Sequence, residues 1–288
     1  MRSRTYTRKC DSPNFFSYPI SLLPTSPPTW RIIPLQTDDA FTNMALDEAC
    51  SEGVAANQVP PTIRFYRWQP SAVSIGYFQS LHDEVATEKC QGAGIDVVRR
   101  RTGGGAVFHD YEGEITYSVI APEKLFPKGI TESYHEICGW IIQSLKLLNV
   151  QTEFKPINDI ILASNAVGPN GENVGGKKIS GNAQTRRNGI LLQHGTILYQ
   201  VDVRKMFSLL KVGQEKIADK MIAAAEERVS SLKLLQPQLT LEEVYQVLLK
   251  GFTAGKKYQI GDWTQQETAR AWELAQSRYS TKEWNELR

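Results

Sequence analysis

The alternation of apolar and polar positions predicts strands over most of the first two hundred residues and helices beyond them. Trp30–Leu35 reads as a strand, and Thr42–Ser51 as a helix with Met44, Ala45, Leu46 and Ala49 at helical spacing. Thr62–Trp68 alternates as a strand, and Ala72–Ile75 is another short strand ending at Gly76. His82–Cys90 reads as one short helix stopped by Gly92 and Gly94. Ile95–Val98, Ala106–Phe108 and Ile115–Ile120 are further strands, and Thr131–Leu148 is an amphipathic helix with Ile137, Ile141, Leu145 and Leu148 in phase. Phe154–Leu162 is extended, and the polar, glycine-rich Ala163–Gly176 is a loop. Asn188-Gly189 between Lys177–Arg187 and Ile190–Tyr199 signals a hairpin. From Val203 onward the pattern is helical, and Thr240…Glu243 and Thr264…Glu267 each fit a capping box. The expected class is α/β (α+β), a mixed sheet flanked by helices.

Composition narrows the function classes. At 288 residues, with 41% hydrophobic and 22% charged side chains, the chain has material for a sizeable core. A net charge of +2 gives no global basic field, which argues against nucleic acid as a partner. No apolar run approaches the roughly 20 residues of a membrane helix. Cys10, Cys50, Cys90 and Cys138 form no CxxC pair, as expected of free thiols in a reducing compartment, and a cytoplasmic location is the expectation. Residues 1–29 are basic and rich in serine, threonine and proline, and read as a flexible extension or a targeting segment ahead of a domain over residues 30–288.

One stretch concentrates the candidate chemistry: Arg99-Arg100-Arg101-Thr102-Gly103-Gly104-Gly105-Ala106-Val107-Phe108-His109-Asp110. Adjacent glycines are entropically costly in ordered structure and suit a place where another molecule approaches the backbone. The three arginines suggest that this molecule is an anion. Two familiar phosphate motifs do not fit. Gly171–Lys178 follows G-x-x-x-x-G-K, but its last residue is lysine where a magnesium-holding hydroxyl is needed, and a strand follows in place of a helix. Gly103-Gly104-Gly105 lacks the G-x-G-x-x-G order of a dinucleotide loop.

Taken together, the motifs resemble the lipoate–protein ligase family of the biotin/lipoate ligase superfamily. Asn43–Ala49, Arg64–Trp68, Ser74–Gln79, Arg99–Asp110, Asn158-Asp159, Gly176–Gln184, His194–Leu198 and Glu283-Trp284-Asn285 carry the likeness, in order, over residues 30–288. The resemblance implies a biotin-ligase-type catalytic domain that joins lipoate to AMP from ATP and passes the lipoyl group to a lysine of a carrier domain. It implies Lys178 as the catalytic lysine, also touching nucleotide and substrate. Arg100, Gly105, Ala106, Val107 and Phe108 would bind nucleotide, Gly103, Gly104 and His194 substrate, and Asp159 would hold Mg2+. The implied partners are the lipoyl domains of 2-oxoacid dehydrogenase complexes or the glycine-cleavage carrier protein.

The chain departs from the family in two respects. The C-terminal domain that supports adenylation in many of these ligases does not follow Trp284-Asn285, which implies a separate accessory chain. Octanoyltransferases of the superfamily use a cysteine thioester, and no cysteine stands between Asp159 and Lys178. The expectation is therefore an ATP-dependent, acyl-adenylate-forming lipoate–protein ligase. The alternatives are an octanoyl or lipoyl transferase drawing on acyl carrier protein and a non-catalytic acyl-carrier-binding protein. A biotin ligase ranks below the transferase, because its Gly-Arg-Gly-rich loop is missing.

Overall fold

The computed structural model describes residues 27–211 and 215–288, so the 1–29 extension falls almost wholly outside the described residues. Along the chain run β1 (Trp30–Asp38), α1 (Ala40–Ala55), β2 (Thr62–Trp68), β3 (Ala72–Ile75), α2 (Leu81–Glu84), α3 (Thr87–Gly92), β4 (Asp96–Arg99), β5 (Val107–His109), β6 (Glu114–Pro122), α4 (Ile130–Lys146), β7 (Thr152–Lys155), β8 (Asp159–Leu162), β9 (Lys178–Arg187) and β10 (Ile190–Leu198). There follow α5 (Val203–Leu209), α6 (Glu215–Arg228), α7 (Leu232–Leu235), α8 (Leu241–Thr253), β11 (Tyr258–Ile260), α9 (Gln265–Leu274) and α10 (Lys282–Asn285). Eight strands form a mixed sheet in the order β11-β1-β2-β6-β10-β9-β8-β7, and β4-β3-β5 form a second, smaller sheet. This is the mixed α/β class expected.

The strand period distributes side chains to two cores. On β2, Ile63 and Phe65 face α4 and α8 together with Ile137, Ile141, Val244 and Phe252. Tyr66 and Trp68 turn to the other face, against Met44 and Ala45 of α1 and Ala271 and Leu274 of α9. β6 and β10 lie inside the sheet, and every residue from Glu114 to Ala121 is buried, polar ones included. That burial brings Glu114, Thr116 and Ser118 into the interior, where each finds a hydrogen-bond partner.

The hairpin at Asn188-Gly189 forms as expected, with both residues at positive φ (52° and 74°). Both capping boxes close, at Thr240–Glu243 and Thr264–Glu267. Three details differ from the pattern. The 82–90 helix is broken into α2 and α3, because Val85 is extended and bridges to Leu210. The extended run 154–162 is a hairpin of β7 and β8. β11 is a strand in an otherwise helical tail; its three residues are exposed, so no buried alternation marks it.

Candidate active site

Charge alone suggested that the three arginines await an anion; their surroundings assign them to the protein itself. Arg100 is buried, and each of its donor nitrogens meets a protein acceptor. Nε donates to Thr102 Oγ1, Nη1 to the carbonyl and hydroxyl of Ser74, and Nη2 to the carbonyls of Gly103 and Gly105, at 2.7–3.1 Å. These five acceptors match the five N–H donors of a guanidinium. Burial lowers its pKa to about 10. Arg99 donates to the carbonyls of Gly76, Tyr77, Gln79, Trp284 and Asn285. Arg101 pairs with Glu48 at 2.7 Å. In this structure Arg100 shapes the glycine loop. Gly104 sits at φ 96°, and a Cβ there would lie 2.8 Å from Arg100 Nη2, which accounts for glycine at that position.

Arg100 joins two hydrogen-bonded chains. In one, Ser74 Oγ lies 2.8 Å from His109 Nε2, and His109 Nδ1 lies 2.6 Å from Glu114 Oε1. In the other, Thr102 Oγ1 lies 2.8 Å from His194 Nε2, and His194 Nδ1 lies 3.3 Å from Asp47 Oδ2. Both hydroxyls accept from Arg100, which leaves their own hydrogens to donate to the histidines; the tautomer with hydrogen on Nδ1 satisfies each chain. Burial holds the His194 pKa below its ordinary value. His109 also stacks on Trp68, with ring centroids 4.0 Å apart. Ser74, Glu114 and Asp47 were assigned no role in the sequence reading, because they meet their histidines only through tertiary pairing.

Lys178 opens β9. Its ammonium lies 2.7 Å from Asp159 Oδ1, and both side chains are about one-third exposed, at 38% and 32%. Asp159 faces Gly181 across the β8–β9 pair, and a Cβ at Gly181 would lie 2.7 Å from Lys178 Nζ. Asn158 and Asn182 brace the same corner, each amide donating to the other's carbonyl at 2.6 and 2.9 Å. Lys177, by contrast, donates to the carbonyl of Glu226 at the surface.

These elements enclose a cavity of about 310 Å³. Of the expected residues, Arg100, Gly104, Gly105, Ala106, Val107, Phe108, Lys178 and His194 line it, while Gly103 and Asp159 do not. Met44, Trp68, Phe108, Leu198 and Met206 supply apolar wall, and Ser74, His109 and Glu114 also reach it. Among the described residues, Cys50, Cys90 and Cys138 are buried and none lines the cavity. Burial pushes Cys50 and Cys138 up to about 12 and raises Cys90. Asp159 does not fit the magnesium role: its carboxylate is engaged by Lys178, and among the described residues no three His, Cys, Asp or Glu side chains gather as a metal site.

Comparison with known proteins places these features. The family model described as the lipoyl protein ligase A/B catalytic domain matches residues 39–253. Octanoyltransferase LipM of Brevibacillus brevis is 35% identical over 272 residues, covering 89% of this chain and 98% of the relative. LipM of Geobacillus kaustophilus is also 35% identical, covering 89% and 97%. Among solved structures, the bipartite lipoate protein ligase of Thermoplasma acidophilum superposes with a TM-score of 0.77 at 29% identity, over 91% of this chain and 97% of that one. An ATP-bound lipoate-protein ligase A gives 0.73 at 27%, over 90% and 98%.

The expectation of an ATP-dependent, acyl-adenylate-forming lipoate–protein ligase, with ATP and Mg2+ as cofactors, is corrected by these relatives. At 35% identity over nearly the whole relative they are octanoyltransferases, a name for acyl-group transfer, not ATP-driven ligation. The geometry is consistent with this: the donors of the arginine expected to bind nucleotide are all taken up by protein acceptors, and the carboxylate expected at the metal is paired with lysine.

Proposed function

This chain belongs to the lipoyl protein ligase A/B catalytic-domain family, and we propose that within it the protein is an octanoyltransferase. The reading is that it takes the acyl group from a thioester on acyl carrier protein and delivers it to a lysine of a lipoyl domain. Acceptors of this kind belong to 2-oxoacid dehydrogenase complexes and the glycine-cleavage carrier protein. No accessory chain for adenylation has a step to serve in this reaction. The observation that carries the reading is the placing of Lys178 on a largely apolar cavity of about 310 Å³. An eight-carbon chain is stabilised by apolar walls. The reacting thioester is uncharged, so charge develops only as the carbonyl is attacked.

Lys178, oriented by Asp159, is the cation available to that developing oxyanion. The glycine loop adds donors. With the carbonyls of Gly103 and Gly105 drawn to Arg100, the trans peptide geometry turns the N–H groups of Gly104 and Ala106 the opposite way. Both residues line the cavity, so these N–H groups are the second element of oxyanion stabilisation in this reading. The net reaction breaks a C–S bond, forms an amide C–N bond and moves one proton from the acceptor amine to the departing thiol.

The test supplies octanoyl-acyl carrier protein and an apo lipoyl domain without ATP, and follows the intact mass of the lipoyl domain. Octanoylation is the expected result. Modification only from free octanoate or lipoate with ATP and magnesium overturns the reading.

A further inference from the structure

Acyl transfer in two steps needs a nucleophile to hold the acyl group, and the buried cysteines among the described residues do not supply one at the cavity. The Ser74–His109–Glu114 chain does. Its distances of 2.8 and 2.6 Å are those of a nucleophile, a base and an orienting carboxylate. The register explains how the three meet. In the antiparallel β3–β5 pair Ser74 lies opposite Val107 and Ala72 opposite His109, so Ser74 and His109 are diagonal neighbours on one face. Glu114, the first residue of β6 in the larger sheet, closes the chain from the other side.

We propose that Ser74 Oγ is the nucleophile of the transfer and carries the octanoyl group as an oxyester. The inference rests on the octanoyltransferase reading above. In the first step the Oγ–C bond forms and the C–S bond of the donor breaks; the Oγ proton passes to His109 Nε2 and then to the departing thiolate. In the second step the acceptor lysine's neutral amine attacks the ester carbonyl. The C–N bond forms, the C–O bond breaks, and the amine's proton returns through His109 to Ser74. Glu114 is a positioning residue that holds His109 in the tautomer able to accept. Arg100 donates to Ser74 Oγ at 3.1 Å and stabilises charge on that oxygen as its proton leaves. Ser74 and Thr102 are both buried, but only Ser74 lines the cavity, so the parallel chain through Thr102 and His194 presents no hydroxyl to a substrate there.

The experiment incubates the wild-type protein with octanoyl-acyl carrier protein and no acceptor, quenches in acid, and maps the modified peptide by mass spectrometry. An octanoyl group on Ser74, resistant to neutral hydroxylamine and lost on adding apo lipoyl domain, is the expected result. S74A lowers transfer by about a thousandfold or more. S74C restores an acyl-enzyme that is now hydroxylamine-labile, a change that a merely structural serine would not produce. Lipoyl-domain octanoylation with no acyl group on Ser74, or with the group on a cysteine or lysine, overturns the proposal while the octanoyltransferase function stands. Failure to octanoylate either protein overturns both.

Discussion

Lys178 Nζ lies 2.7 Å from Asp159 Oδ1, across a strand pair in which Asp159 faces Gly181. The pair is partly exposed, so its Coulomb energy contributes little to stability. Its consequence is positional: a flexible lysine is held at the cavity wall. Replacing Lys178 by alanine therefore lowers kcat for octanoyl transfer by about a hundredfold to a thousandfold and leaves the melting temperature nearly unchanged. Steady-state kinetics and thermal melts on the same variant check both halves.

Gly181 gives an independent test of the same geometry. A methyl group at this position would contact both Nζ and Cε of Lys178, at 2.7 and 2.8 Å. Gly181→Ala is expected to displace the ammonium and reduce kcat with the lysine still present. A variant with unaltered kcat would separate Lys178 placement from turnover.

Arg100 is a stability residue in this structure. Removing its guanidinium leaves the carbonyls of Ser74, Gly103 and Gly105 without their donor in a buried site. Arg100→Met is expected to cost about 3–5 kcal/mol, measured by urea unfolding. Arg100→Lys recovers only a small part of this, since an ammonium cannot span acceptors placed around a planar fork.

His194 sets a pH dependence whose sign follows from its burial. Its folded pKa is lowered from 6.5, with the desolvation outweighing the nearby Asp47 carboxylate. As pH falls, the unfolded chain takes up the proton first, so stability declines below about pH 6.5 and continues to decline down to the folded pKa. Above about pH 6.5 the contribution is constant. Urea midpoints across this range fall more steeply for the wild type than for His194→Gln, which has no proton to gain.

Local rules made much of this fold legible. β2 follows from alternation, β3 from a short apolar run closed by Gly76, the β9–β10 hairpin from Asn188-Gly189, and the starts of α8 and α9 from their capping boxes. Lys178, the glycine loop and His194 were legible as a group through motif order, and they do share one cavity. The protein partners of the arginines were not legible, because a sequence displays charge but not the acceptors that a fold brings to it. Ser74 and His109 are 35 positions apart, and Asp47 and His194 are 147 apart. Such pairs exist only once strand register and the packing of α1 are set, and no periodicity announces them.

The C-terminal Trp284-Asn285 was legible as a motif but not in its purpose, and that purpose yields the last prediction. Arg99 receives acceptors from both residues. Asn285 Oδ1 accepts from the Arg99 backbone N–H at 2.7 Å, and Trp284 Nε1 donates to the Arg99 carbonyl at 2.8 Å. The same guanidinium holds the carbonyls of Gly76, Tyr77 and Gln79, the segment that follows Ser74. Truncation after Lys282 removes these partners and leaves a buried cation with part of its hydrogen bonding gone. The expected loss is about 2–5 kcal/mol, together with faster amide exchange over residues 76–79 and 99–105. Because Arg100 and the glycine loop follow Arg99 directly, octanoyl transfer falls in kcat as well. Unchanged exchange over residues 76–79 and 99–105, with an unchanged midpoint, would show that α10 does not anchor this loop.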